Sequence, residues 1–263
     1  MQHIDKLRNI LVHYHFYKNS GTSIDFILRE TFKSAFISFD GPFPFFNINQ
    51  DELLKIINSN SEIQAISSHQ IKLPVPTSLN INFIPIICVR NPLLRVYSIY
   101  NYKRKFFDNT ETSKNAVKLN FNEWVNHSLN DPFEISHISN TQTRFLSYTY
   151  NRPPLSKKNE FGLIFDLNQA KRNIENVKLL LRTEYLKHDI GNLNPYLESI
   201  NIKLNIQKNV WKNSTNKKIV NVTEKLNLVK NNLTSTNYEK LINANKQDQQ
   251  IYDLVSKRLN DLR

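Results

Sequence analysis

The chain has 263 residues, 40% of them hydrophobic, with 16 Phe, 11 Tyr, one Cys and a formal net charge of +12. That length and apolar content suit a chain with a substantial folded core rather than disorder. A lone cysteine excludes an intramolecular disulfide and a thiolate metal cage, and no stretch approaches the ~20 apolar residues of a membrane span.

The basic charge is compatible with nucleic acid, anionic lipid, acidic glycan or an anionic nucleotide, and by itself selects none of them. The first nine residues are polar and charged, unlike a secretory signal, so a cytoplasmic, bacterial protein is expected.

Residues 9–16, NILVHYHF, alternate in polarity and predict a strand. Residues 22–33 place Ile24, Ile27, Leu28 and Thr31 at helical spacing, with Thr22 or Ser23 as the expected N-cap. An aromatic loop, FDGPFPFF, comes next and packs over the core or faces a substrate ring; a helix is predicted over 50–58. IQAISSH (63–69) and FIPIICV (83–89) read as buried strands, the latter burying an inert Cys88, and a helix over 93–105 follows directly. Further helices are predicted over 121–129 and 138–148, then a helical stretch from about residue 168, a strand over 177–186, a short helix over 195–204 and one long terminal helix over 236–262. Strands alternating with helices predict an α/β fold with a mainly parallel sheet. One domain is expected, with a nucleotide-binding core over about 8–190 and a C-terminal loop and helices over 191–263; residues 207–218, rich in Lys, Asn and Ser, read as a loop or lid.

The chain contains only four glycines, and Gly21 stands in KNSGTS, between the first strand and the first helix. A turn of this kind gathers backbone N–H groups and a helix N-terminus into a site for an anion. Glycine supplies positive φ and admits a phosphate close to the backbone. Lys18 adds charge, and Thr22 and Ser23 add hydroxyl donors. The plain alternative is a tight turn with a solvated lysine. Since the lysine precedes the glycine, the loop is not that of the nucleotide triphosphatases, which disfavours kinase or ATPase chemistry.

A second segment, CVRNPLLRVYSIY (88–100), ends a strand at Arg90 and carries Ser98 two turns into the next helix. A guanidinium and a hydroxyl so placed can hold one phosphate from two sides, at the strand edge where open α/β sheets bind ligands.

HFYKNSGTS resembles the H-x-P-K-T-x-G-T-[ST] loop of sulfotransferases that use 3′-phosphoadenosine-5′-phosphosulfate, and RNPLLRVYS resembles their R-[DHN]-P-x-x-R-x-x-S segment. SSHQ (67–70), NTQTRFLS (140–147), LLRTEYL (180–186) and ANKQDQQIYDLVSKRL (244–259) fit the same order, and the most similar group is the carbohydrate branch that includes heparan sulfate 2-O-sulfotransferase and bacterial relatives. The resemblance implies a P-loop-like α/β sulfotransferase fold. In it, Lys18, Asn19, Ser20, Gly21, Thr22 and Ser23 would cradle the 5′-phosphosulfate, Arg90 and Ser98 would hold the 3′-phosphate, and Lys212, Lys217 and Lys218 would form a late basic loop near the nucleotide. Tyr17 and Asn19 depart from the family's usual proline and threonine.

What the resemblance further implies is sulfuryl transfer to a hydroxyl of a carbohydrate or glycolipid, with adenosine 3′,5′-bisphosphate as product. Lys18 would stabilise the leaving group and His69, at the end of its strand, would act as base. His13 and His15 share a strand face, yet no partner with ligand spacing accompanies them, so a structural role is expected and no metal. Asp40 and Glu184 are weaker acid/base candidates. The rival readings are an atypical nucleotide-dependent kinase and a basic nucleic-acid-binding module, the latter resting only on charge and aromatics; no nucleic-acid partner is expected.

Overall fold

The computed structural model describes residues 7–42, 47–147, 166–207 and 221–261. Lys212, Lys217, Lys218 and most of the loop that holds them lie outside the described residues, as do residues 43–46 of the aromatic loop.

Five strands, β1 (Arg8–Tyr14), β2 (Phe36–Ser38), β3 (Ala65–Ser68), β4 (Ile81–Val89) and β5 (Leu179–Arg182), form one sheet in the order β2-β3-β1-β4-β5. Every pairing is parallel, with Tyr14 opposite both Ser68 of β3 and Ile87 of β4. The expected α/β class with a parallel sheet is what the chain adopts. In a parallel sheet all carboxyl ends share one edge, so the loops after β1, β2, β3, β4 and β5 meet there.

The helices are α1 (Gly21–Phe32), α2 (Gln50–Asn58), α3 (Pro92–Lys105), α4 (Glu111–Lys118), α5 (Phe121–Asn130), α6 (Ile135–Ile138), α7 (Thr141–Ser147), α8 (Leu167–Glu175), α9 (Leu186–Ser199), α10 (Val222–Asn231), α11 (Ser235–Ala244) and α12 (Lys246–Asn260). Strand alternation divides the core between the two sheet faces. Ile10, Val12, Tyr14, Ile87 and Val89 pack with Leu53 and Ile57 of α2, Ile174 of α8 and Ile251 and Val255 of α12. Leu11, Ile84, Ile86, Leu179 and Leu181 face Ile24, Ile27 and Leu28 of α1 and Ile190, Leu193 and Leu197 of α9. A third cluster around Trp124 joins α3, α5, α10 and α11 beside the sheet.

Two predicted helices are corrected. The helix placed over 195–204 ends near where it was expected to start: α9 spans Leu186–Ser199 and carries Pro195 in its interior. The amphipathic run 236–262 is broken at Asn245, whose side-chain amide donates to the carbonyls of Ile138 and Leu241 and so draws the chain out of helical register. The predicted helix over 138–148 likewise divides, because Asn140 takes positive φ of 40° between α6 and α7.

Candidate functional site

The loop from β1 to α1 is built on two left-handed residues that are not glycine, Lys18 at φ 66° and Ser20 at φ 61°. Such residues carry of order 1 kcal/mol of strain each, and alternation into the left-handed region turns successive N–H groups to one side as an anion-binding concavity. Ser20 is the N-cap of α1, yet its side chain makes no capping bond. Thr22 and Ser23, the expected caps, sit inside the first turn instead. The amides of Ser20, Gly21 and Thr22 have no acceptor among the described residues, whereas that of Asn19 donates to Phe16 O at 3.2 Å. The N-terminus of α1 and these three amides thus lie together in the loop, and the hydroxyls of Thr22 and Ser23 make no hydrogen bond among the described residues.

Gly21 itself does not supply the positive φ. A Cβ built on it would lie 1.8 Å from His15 Cδ2 and 1.9 Å from Nε2. The glycine is required because the imidazole of His15 fills the space that a Cβ would need.

Arg90 follows β4, the strand beside β1. Its Nη1 donates to Lys18 O at 2.9 Å, and its Nε stands 3.7 Å from Glu184 Oε1 without a hydrogen bond. Burial lowers the Arg90 pKa and raises that of Glu184, each opposed by the other's charge. Glu184 also accepts from Asn91 N, which makes this carboxylate a brace for the Arg90 loop. Ser98, two turns along, is half-buried, and its hydroxyl is unbonded among the described residues.

Lys18 Nζ lies 3.9 Å from the ring centroid of Tyr102 and 6.0 Å from that of Tyr17. Burial and the nearby Arg90 cation lower its pKa to about 8. Arg95, 2% exposed, donates through Nε to Tyr17 O and through Nη1 to His137 O, so it supports the lysine turn from beneath.

Asn19 is turned away from the amide concavity. Its amide nitrogen donates to Cys88 O at 2.9 Å and to Gln142 Oε1 at 2.7 Å. Gln142, at the start of α7, also accepts from Arg90 N at 2.9 Å and donates to Arg90 O at 2.9 Å. It is held in turn by Asp248 of α12, whose carboxylate accepts from the Gln142 and Thr143 amides. Asn19 and Gln142 thus tie the β1 and β4 loops together. Sequence reasoning noted the stretches that hold Gln142 and Asp248 but gave these residues no role.

Across β1 a histidine column forms. His13 Nδ1 lies 2.8 Å from Asp25 Oδ1 and 2.9 Å from Ser67 Oγ, and His15 Nδ1 lies 3.2 Å from Asp25 Oδ2. His69 stacks on His15 with centroids 4.0 Å apart. Its backbone is fixed further, since its amide donates to Asp40 Oδ1 at 2.9 Å. Desolvation, then the His15 charge, lowers the His69 pKa. Asp40 also accepts from Ser68 Oγ, so it secures the strand end.

His13, His15 and Asp25 are a cluster of metal-ligand types, brought together by α1 in a way the sequence alone does not display. Asp25 meets three hydrogen-bonding groups, His13, His15 and Ser67, which hold its carboxyl far below the usual range. Each carboxylate oxygen of Asp25 thus faces a histidine Nδ1, at 2.8 Å for His13 and 3.2 Å for His15.

The sequence-predicted residues Lys18, Ser20, Gly21, Thr22, Ser23, Arg90 and His69 therefore gather at the carboxyl edge of the sheet, and Asn19 braces them from inside. No protein-family model matches the chain. An uncharacterized protein of Archaeoglobus fulgidus is 40% identical over 105 residues, a stretch that covers 38% of this chain and 41% of that protein. The chain thus matches less than half the length of that relative, which has no stated activity.

Proposed function

We propose that the chain is a sulfotransferase that moves the sulfuryl group of 3′-phosphoadenosine-5′-phosphosulfate to a hydroxyl of a carbohydrate or glycolipid. The observation that carries this reading is the direct bond from Arg90 Nη1 to Lys18 O, which joins the two phosphate-type loops beside amides that have no acceptor among the described residues. In this reading the Ser20, Gly21 and Thr22 amides and the Thr22 and Ser23 hydroxyls hold the 5′ end of the donor. The remaining guanidinium donors of Arg90 and the Ser98 hydroxyl hold its 3′-phosphate. Charge-assisted bonds of this kind are roughly twice as strong as neutral ones.

Sulfuryl transfer, like phosphoryl transfer, asks mainly for in-line placement and charge stabilisation. The acceptor oxygen forms a bond to sulfur as the bridging S–O bond breaks. Negative charge passes to the leaving bisphosphate, where Lys18 offsets it, and the acceptor proton goes to His69. A base of lowered pKa is neutral at pH 7 and ready to receive that proton.

The test is incubation with donor labelled in its sulfuryl group and a panel of saccharide and glycolipid acceptors. Label should appear in an acceptor with the wild-type protein and fall about a hundredfold or more in Lys18→Ala, the usual cost of removing a donor aimed at developing charge. Equal transfer by the variant would contradict the role given to Lys18.

A further inference from the structure

We propose that the carboxyl-terminal end of α3 docks on an anionic lipid bilayer through Phe106 and Phe107, and so brings Lys18 to acceptors carried in that bilayer. The docking stands on its own geometry. The choice of a glycolipid over a soluble carbohydrate as acceptor rests on the function proposed above.

Three cations, Lys103, Arg104 and Lys105, run directly into two phenylalanines that are 52% and 56% exposed. Folded chains bury most phenylalanine, and this one buries Phe16, Phe36, Phe83 and Phe121. An adjacent pair left outside the core points to a binding surface. Asp108, the next residue, does not cancel the charge of the whole group. Its carboxylate accepts from Lys103 Nζ at 2.5 Å, from Thr110 Oγ1 at 2.6 Å and from Ser113 Oγ, bonds that hold its pKa well below the usual carboxylate range. It is thus taken up by Lys103 and by the first turn of α4, and neither Arg104 nor Lys105, both exposed, has an ion-pair partner among the described residues. Two rings beside two uncompensated cations match an anionic bilayer on both counts: phenyl rings enter the acyl boundary while Arg and Lys heads stay at the phosphates.

A nucleic acid would use the same cations but stacks its bases on open ring faces. Phe106 already carries Lys105 Nζ at 5.2 Å from its centroid and the Tyr102 ring at 4.9 Å, which favours lipid. Tyr102 also connects this tip to the candidate site. The ring that packs on Phe106 lies 3.9 Å from Lys18 Nζ, so one side chain separates the exposed tip from the lysine assigned to the leaving group. A chain seated on lipid by Phe106 holds that lysine close to the headgroup layer, where the sugar of a glycolipid lies.

The experiment is flotation of the full chain with vesicles of phosphatidylcholine, or of an equal mixture of phosphatidylcholine and phosphatidylglycerol. A solvatochromic dye on Phe107→Cys reports insertion, since the native Cys88 is buried. Ser61→Cys is the control, an exposed position at the opposite sheet edge, where Arg8 at the start of β1 donates to Ile63 O. Wild type should float with the mixed vesicles and not with phosphatidylcholine, and the dye should shift to the blue at residue 107 and not at residue 61. Arg104→Gln/Lys105→Gln should lose about twentyfold in partition, roughly a factor of five for each cation at an anionic surface. Phe106→Ser/Phe107→Ser should lose about tenfold or more. Both should keep the wild-type melting temperature and bisphosphate affinity. Equal flotation with phosphatidylcholine alone, no flotation with either, or wild-type flotation by both double variants would overturn the proposal. So would a blue shift given by polyuridylate and not by vesicles, which would make the patch a nucleic-acid surface. A dimer that Phe106→Ser/Phe107→Ser dissolves would overturn it too, because a second copy would then cover the rings. Vesicle binding without binding of adenosine 3′,5′-bisphosphate would refute the proposed function and leave the docking in place, and bisphosphate binding without vesicle binding would do the reverse. Where transfer is measured, wild type should favour a lipid-linked acceptor in mixed vesicles over its water-soluble headgroup, and that preference should fall in the phenylalanine variant.

Discussion

The space where a Cβ of Gly21 would stand is filled by the imidazole of His15. That imidazole is tied to Asp25 and backed by His69, so it has little freedom to withdraw. Gly21→Ala should therefore destabilise the protein by about 1–3 kcal/mol, the usual cost of forcing extra volume into a packed site. Chemical denaturation measures this. Parallel loss of the His15–His69 contact in NOE spectra would show that the strain is relieved through the histidine column.

Gln142 is the brace between the β1 and β4 loops, bonded to Asn19 and to both backbone groups of Arg90. Gln142→Leu keeps the volume and removes every side-chain bond, leaving the Arg90 backbone unpaired. A buried polar group so orphaned costs about 1–3 kcal/mol. The expected outcome is a lowered denaturation midpoint together with weaker adenosine 3′,5′-bisphosphate binding. Equal loss of stability without loss of binding would mean the brace serves only the fold.

Lys18 has its pKa lowered to about 8 in the folded chain. The unfolded value is higher, so the folded state binds fewer protons between the two, and through that window this lysine makes stability rise with pH. Donor affinity should run the opposite way: the ammonium is fully present below about pH 8 and is lost above it. Titrating bisphosphate binding from pH 6 to 10 should show that fall in wild type and not in Lys18→Ala.

A divalent cation at His13, His15 and Asp25 would have to displace hydrogen bonds that the carboxylate already accepts. Equimolar Zn²⁺ should leave the melting temperature unchanged and chelators should not lower it. A rise of several degrees with Zn²⁺, abolished in His13→Ala, would mean that the cluster takes a metal.

Much of the layout was legible because local signals and tertiary structure agree. β1, β3 and β4 are apolar runs with turn residues at their ends, and the helix after Arg90 begins at Pro92, which suits a first turn. Arg90 and Lys18 could be expected at one edge because parallel strands bring their carboxyl ends together. What failed depended on partners remote in sequence. Pro195 reads as a helix start, yet it lies inside α9, where Ile190, Leu193 and Leu197 all pack on the sheet and outweigh the missing N–H. Asn245 breaks the terminal helix because α6 offers it the Ile138 carbonyl. In sequence Gly21 reads as a backbone requirement, whereas its neighbour across the loop, His15, determines it. Asp25 looks like an ordinary helix carboxylate until α1 packs it against His13 of β1 and His15 just beyond that strand.

The most direct measurement is calorimetric titration of adenosine 3′,5′-bisphosphate into wild type and Arg90→Gln. The account predicts saturable binding by wild type, with a stabilisation of about 2.7 kcal/mol at one hundred times the dissociation constant, and affinity weaker by about tenfold or more in the variant, as loss of a bond between charged groups requires. No binding heat and no change in wild-type melting at millimolar bisphosphate would contradict it.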